Sequence, residues 1–161
     1  MVDSGHSPRR NRGAASAGIV VRNALTTRIV LMVAGAYAPT RLGDKHLRQA
    51  FELLSDPKIR AAAQNHGNPE ALAEAEAMWA RLFADPRQEV VKHFRHKYTA
   101  HRGKPRADVP LPKYSEFFEI ARDTAALMEK LAHGIGGTTE TLASRRNELI
   151  RSAQEFWRPW T

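Results

Sequence analysis

One basic segment of the chain is best suited to chemistry. The stretch from Lys92 to Arg106 holds six of the 25 lysine and arginine residues and three of the seven histidines, and it contains no carboxylate. Histidine exchanges protons near neutral pH, and arginine keeps its charge and binds phosphate oxygens with a fork of donors. Arg95 and His101 are therefore candidates for acid–base and charge-stabilising roles at a phosphate. The structural alternative is a helix end whose cations interact with the helix dipole.

The helix that carries this segment is expected to start after Asp85. One stripe of its apolar residues is expected to be buried, and Arg95 lies beside that stripe. The residues of that stripe are Val90, Val91, Phe94 and Tyr98, and His101 continues the same line, half buried. On an ideal helix, six residues separate Arg95 and His101 by about 120° and about 9 Å. One straight helix therefore does not bring both side chains to one phosphate. Convergence needs a distortion near Gly103 or the same helix from a second copy in a two-fold dimer.

A zinc site is the competing interpretation of the same helix. Glu89, His93 and His96 share one face at spacings i, i+4 and i+7, which suits metal coordination. The neighbouring cations Lys92 and Lys97 would repel a divalent ion, so we expect a Glu89–His93 surface pair instead. No metal and no cofactor are expected.

A known family has a similar motif. The stretch FRHKYTAHRGKPR resembles the signature of the HEPN superfamily, an arginine followed after about four to six residues by a histidine near the end of a core helix. Arg95 and His101 enclose five residues, and the local form is similar to that of the abortive-infection branch. The upstream stretch RLGDKHLRQAFELLSDP also resembles that branch, so the resemblance covers roughly residues 18–135. His96 departs from the pattern, because Asn or Asp often follows the arginine.

The resemblance implies a helical bundle that dimerises through its motif helices and, in many members, cleaves RNA without a metal. Arg95 and His101 would then be catalytic, within bacterial defence or a toxin–antitoxin pair with an antitoxin protein. Nucleic-acid-binding roles are expected for His96, Lys97, Arg102, Lys104 and Arg106. The alternatives are a non-catalytic nucleic-acid-binding or dimerisation module, and a pure interaction protein.

Composition agrees with a polyanionic partner. The chain has 161 residues and a net charge of +8, and its pI is near 10.3. Basic proteins gain affinity for nucleic acid by releasing counterions from phosphates. Nucleic acid is therefore the leading candidate partner, ahead of an anionic membrane. Cysteine is absent, which excludes disulfides, thiolate metal sites and cysteine nucleophiles. The longest apolar stretch, residues 29–38, is about half of what a membrane-spanning helix needs, so no transmembrane helix is expected, and we predict a cytoplasmic protein without a membrane partner.

The rest of the sequence predicts an all-α bundle of about five to seven helices. Residues 1–17 are expected to form a disordered basic arm, and residues 18–161 a single helical HEPN-like domain. Each predicted helix start combines a capping residue with proline, and these pairs are Asp56-Pro57, Asn68-Pro69 and Asp85-Pro86. Helix ends are predicted at Gly67, Gly103 and Gly134, and a last helix is predicted to begin at Thr138 or Thr139. The first long helix is predicted to bury Val21, Leu25, Ile29, Met32 and Ala36.

Overall fold

The protein is all-α, as the sequence predicts. The computed structural model describes residues 8–41, 43, 45–100, 108, 113–137 and 141–158, with the side chains of residues 8–15, 98–100 and 142–143 left out. These residues form seven α-helices, a π-helical segment and no strand. The helices are α1 (Pro8–Ala36), α2 (Leu47–Leu53), α3 (Pro57–His66), α4 (Pro69–Phe83), α5 (Arg87–Phe94), α6 (Tyr114–Gly134) and α7 (Leu142–Trp157), and the π segment is Arg95–Ala100.

The helix starts predicted at Pro57 and Pro69 are confirmed, whereas α5 begins one residue later than predicted, at Arg87 with Pro86 at its N-cap. In each case the side-chain oxygen accepts a backbone N–H from the first turn. Asp56 accepts the N–H of Lys58 at 2.7 Å, Asn68 accepts that of Ala71 at 3.0 Å, and Asp85 accepts that of Arg87 at 2.8 Å. The predicted start of the last helix is wrong. Helix α7 is capped by Thr141, whose Oγ1 accepts the N–H of Ser144 at 3.1 Å.

Helices α4 and α6 form the centre of the bundle, and α1 and α5 pack against α6. Gly134 lets the end of α6 approach α4 closely, because a Cβ at this position would lie 2.7 Å from the Cα of Leu72 on α4. Gly134 ends α6 and Gly67 ends α3, as predicted. The third predicted end, Gly103, lies outside the described residues.

Helix α1 buries a different stripe from the one predicted. Its buried side chains are Thr26, Val30, Val33 and Ala34, followed by Tyr37 just after the helix. Leu25 and Met32 of the predicted stripe are 55% and 61% exposed. Helix α1 has two apolar faces, and α5 and α6 cover only one of them. It also begins at Pro8, so it includes ten residues of the predicted arm.

Part of α1 is long and apolar enough to cross a membrane by length and composition alone. This part is Ser16–Ala36, with a mean hydropathy of 1.5 and 22% of its apolar window buried in the bundle. It is longer than the stretch that the sequence analysis considered. A core helix of a soluble protein passes the same test, and the buried stripe of α1 belongs to the core of this bundle.

A buried polar cluster joins α1, α5 and α6. The hydroxyl of Tyr37 donates to Oγ1 of Thr124 at 3.1 Å, because that oxygen in turn donates to the carbonyl of Ile120 at 2.7 Å. Burial raises the pKa of the Tyr37 hydroxyl. On α5, the buried Gln88 donates from Nε2 to the carbonyl of Leu82 at 3.2 Å. The helix that leads to Arg95 is thus held by polar contacts as well as by apolar ones.

Candidate active site

Arg87 connects the start of α5 to α6. Its guanidinium binds both carboxylate oxygens of Asp85, with the shorter contact at 2.6 Å. It also lies 3.4 Å from a carboxylate oxygen of Glu119 and 3.3 Å from one of Asp123. The hydrogen bonds from Arg87 hold the pKa of Asp85 below its usual value, and Asp85 raises the pKa of Arg87. No sequence pattern signals this cluster, because its α6 members are more than 30 residues away along the chain.

The body of α5 is fixed by apolar contacts. Val91 is 2% exposed and Gln88 is buried. Phe94 packs against Phe117 of α6 in an edge-on arrangement, with ring centroids 5.1 Å apart. The predicted stripe is therefore confirmed for Val91 and Phe94, whereas the side chain of Tyr98 lies outside the description.

Arg95 occupies the junction between two kinds of helix. It is the first residue of the π segment, and its N–H donates to the carbonyls of Val91 and Lys92. Its side chain is half buried. Within the described part of the chain, no carboxylate forms an ion pair with it. Arg95 is thus a positioned cation whose charge these residues leave unneutralised.

The π segment is the main local feature that the sequence did not predict. A π-helix bonds each N–H to the carbonyl five residues back, and such segments often occur at functional sites. The ideal α-helical angle between Arg95 and His101 therefore does not describe this backbone. No residue in Arg95–Ala100 has a spacing or type that signals the change, so the sequence held no usable sign of it.

The neighbours of Arg95 form a basic surface. His96 is exposed, and Lys97 and His93 are half buried. Lys92 donates from Nζ to a carboxylate oxygen of Glu89 at 2.8 Å. The competing zinc interpretation gains no support, because the described residues include no group of three His, Cys, Asp or Glu side chains placed to hold a metal ion.

The second half of the predicted site lies outside the described residues. This half consists of His101, Arg102, Lys104 and Arg106. The structure therefore places Arg95, His96 and Lys97 on the same π segment, and their relation to His101 stays a prediction.

The fold is all-α, and the motif arginine, Arg95, lies where the core helix α5 changes to a π-helical segment. Comparison with protein families gives a match to the HEPN family AbiU2 over residues 5–156. The chain therefore belongs to this family of HEPN-type abortive infection domains, and the match extends beyond residues 18–135 at both ends. Comparison with curated proteins and with solved structures gives no match.

Proposed function

We propose that this protein is a metal-independent endoribonuclease whose site combines Arg95 of one copy with His101 of a second copy. The observation that carries the proposal is the position of Arg95. It is half buried and directly follows α5, which contacts α6 at its first residue, Arg87, and at its last residue, Phe94, and the described residues give it no carboxylate partner. A cation held in this way is preorganised for the charge that develops on a phosphate.

The proposed chemistry uses the 2′-hydroxyl of RNA as the nucleophile. A base removes the hydroxyl proton, the 2′-oxygen bonds to phosphorus, and the bond from phosphorus to the 5′-oxygen breaks. His101 acts in one of the two proton transfers, either taking the 2′ proton or protonating the leaving 5′-oxygen, and water completes the other transfer. Arg95 binds the extra negative charge of the pentavalent phosphate. The products are a 2′,3′-cyclic phosphate and a 5′-hydroxyl end.

The other basic residues of the motif region bind the RNA backbone. Their charges position the strand and do not select its sequence. The proposed set is His96, Lys97, Arg102, Lys104 and Arg106. No metal or cofactor takes part in the proposed reaction.

Family membership supports the setting of the proposal. We propose a cytoplasmic role in defence against infection, with RNA as substrate and with a protein antitoxin to restrain cleavage. The second copy is part of the proposal because HEPN-type domains, the family to which the chain belongs, often act as dimers.

The test is an RNA cleavage assay in EDTA with matched variants. Wild-type protein is expected to cut RNA, leave a cyclic phosphate, and spare a strand with a 2′-deoxy group at the cut site. Arg95→Ala and His101→Ala are each expected to lose about 100-fold or more in rate, whereas the folded state stays intact. The controls are Arg122→Ala and His133→Ala on α6, because both side chains are exposed.

Three results would contradict the proposal. Cleavage that requires added metal would replace it with metal-dependent chemistry. Cleavage that survives both motif substitutions would assign the activity to other residues. Binding with a steep salt dependence but no cleavage would identify a non-catalytic nucleic-acid-binding module.

A further inference from the structure

A cation and an aromatic ring form a pair on the surface of the bundle. The Cζ atom of Arg22 on α1 lies over the ring of Tyr114 on α6, 5.3 Å from the ring centroid. Arg22 is exposed, and Tyr114, the first residue of α6, is 49% exposed. Among the residues that the structure describes, no carboxylate forms an ion pair with Arg22. The pair therefore presents two flat groups and a positive charge to solvent.

Hydrogen bonds fix the backbone on both sides of the pair. The carbonyl of Arg22 accepts the hydroxyl of Thr26 at 2.9 Å, and Thr26 is buried. At the start of α6, a carboxylate oxygen of Glu116 accepts the N–H of Lys113 at 2.8 Å. The two helix segments that carry the pair are thus in place before a ligand binds, which lowers the entropic cost of binding.

The pair lies at the start of α6. Tyr37, just after α1, bonds to Thr124 of α6, whereas Arg22, earlier in α1, lies over Tyr114. Helices α1 and α6 therefore run in the same direction. Helix α1 also packs against the π segment that begins at Arg95.

Helix α5 approaches the same end of α6 from the opposite direction. Its first residue, Arg87, contacts Asp123, and its last residue, Phe94, contacts Phe117, which is nearer to the start of α6. The π segment from Arg95 onwards therefore continues towards the start of α6. Three elements thus bring the Arg22–Tyr114 pair and the motif arginine to one end of the bundle.

We propose that the Arg22–Tyr114 pair binds an unpaired base of the RNA strand whose phosphate Arg95 holds. Bases of single-stranded RNA stack on aromatic rings and on the plane of an arginine guanidinium. Such stacking accepts any base, because every base has a π face.

The inference deepens the proposed function, and it rests on that function for the identity of the ligand. The basic residues near Arg95 are expected to contact phosphates, which duplex and single-stranded RNA share. Stacking on the Arg22–Tyr114 pair requires a base that is free of its complement. The pair therefore selects single-stranded RNA as the form of the substrate.

A second pair of the same kind provides a matched control. Arg48 of α2 lies over the ring of Phe83 at 5.4 Å from its centroid, and Phe83 is 46% exposed. Phe83 is the last residue of α4 and lies near the start of α5, which is the end of that helix opposite to Arg95. Arg48 is also paired with Glu52 at 2.8 Å. The second pair thus has similar geometry, but it is far from the motif arginine and its cation is neutralised.

The first measurement compares two probes by fluorescence anisotropy. One is a single strand of 2′-O-methyl RNA, which the proposed chemistry cannot cut, and the other is the same backbone without bases. Wild-type protein is expected to bind the strand with bases about tenfold more tightly. Tyr114→Leu and Arg22→Lys are each expected to lose most of this preference, because one removes the ring and the other removes the planar guanidinium but keeps the charge.

The controls separate stacking from a change in fold. Tyr114→Phe keeps the ring and is expected to keep the preference. Phe83→Leu and Arg48→Lys make the same changes at the second pair and are also expected to keep it. Circular dichroism checks that every variant stays helical. Equal binding of the two probes by wild-type protein, or equal binding of single-stranded and duplex RNA, would overturn the inference.

The second measurement locates the base. The 2′-O-methyl strand with one 5-iodouracil base is irradiated in complex with the protein, and the cross-linked peptide is identified by mass spectrometry. A cross-link at Tyr114 supports the inference, because this photoreaction joins the base to an aromatic ring that it stacks on. Cross-links found only in other parts of the chain would overturn it.

Other outcomes separate this inference from the proposed function. A protein that prefers the strand with bases through Tyr114 but never cuts RNA keeps the stacking site and removes the nuclease. RNA cleavage that depends on Arg95, by a protein that binds both probes equally, keeps the chemistry and overturns the stacking site.

Discussion

The ring of Phe94 packs edge-on against the ring of Phe117, with centroids 5.1 Å apart, so the residue before Arg95 is held directly against α6. Phe117 is buried in the core. An edge-on aromatic pair adds about 0.5–1.5 kcal/mol to the gain from burial alone. The backbone changes from α to π at the next residue, so this contact fixes the last α-helical position before the motif arginine.

Phe94→Leu is expected to weaken both the fold and the proposed site. The substitution keeps an apolar side chain but removes the ring contact, so we expect the free energy of unfolding to fall by about 1–2 kcal/mol. Arg95 would then be held less firmly, and we expect the rate of RNA cleavage to fall about 10-fold or more. Urea denaturation and the cleavage assay measure the two effects. The control is Phe118→Leu at the exposed neighbouring position, and equal losses in both variants would show that the Phe94 contact has no special role.

Arg87→Met is expected to separate the start of α5 from α6. The substitution removes the cation that Asp85, Glu119 and Asp123 share, and of these Asp123 keeps a longer contact with Arg122 at 3.8 Å. Hydrogen bonds to charged groups contribute about 1.5–3 kcal/mol each, so we expect a loss of about 2–3 kcal/mol in the free energy of unfolding. Arg60→Met removes the exposed ion pair with Glu76 and is expected to cost at most about 1 kcal/mol.

The same substitution is expected to change the pH dependence of stability. Hydrogen bonds from Arg87 hold the pKa of Asp85 below its unfolded value, so the folded state binds this proton less tightly. The stabilisation is complete above the unfolded pKa of about 4 and is lost as the pH falls through the lower folded pKa. Wild-type stability should therefore decline more steeply below pH 4 than that of Arg87→Met. Parallel curves from urea denaturation across this range would contradict the assignment.

Local chemistry made most of the helix boundaries predictable. Asp56 and Asn68 cap helices, and Asp85 accepts the N–H of the first residue of α5, all through bonds within three residues, so the sequence contains both partners of each interaction. The face of α1 that enters the core depends on distant helices. Val30 and Met32 are both apolar, and only the position of α6 decides that the first is buried and the second exposed.

The candidate site stays a prediction. A short motif selects Arg95, and the family match covers this segment without assigning a role to any residue in it. The long-range partners of Arg87 were not predictable, because ion pairing across more than 30 residues leaves no periodic pattern. The π segment was not predictable either, since RHKYTA is compatible with an ordinary α-helix.

Lys97→Gln is expected to weaken RNA binding without changing its sequence preference. Lys97 lies two residues after Arg95, in a part of the chain that lacks carboxylates. Losing one phosphate contact should reduce the slope of log K against log salt by about 0.7 for single-stranded RNA. Lys58→Gln on α3 removes the same charge at an exposed site away from the motif and should leave the slope unchanged. Equal slopes for wild type and Lys97→Gln would show that Lys97 does not contact phosphate.

A mixed dimer is expected to show which chains build the site. One chain carries Arg95→Ala and the other His101→Ala, with different affinity tags, and two successive purifications isolate the heterodimer. If each site takes its arginine and its histidine from different chains, one site of the heterodimer is intact and the other lacks both groups. The cleavage rate should then recover to about half of the wild-type rate, although each variant alone is inactive. A heterodimer in which both chains carry Arg95→Ala controls for the tags. An inactive mixed dimer beside an active wild type would place both groups in one chain, and the π segment would then have to bring Arg95 and His101 together without a partner.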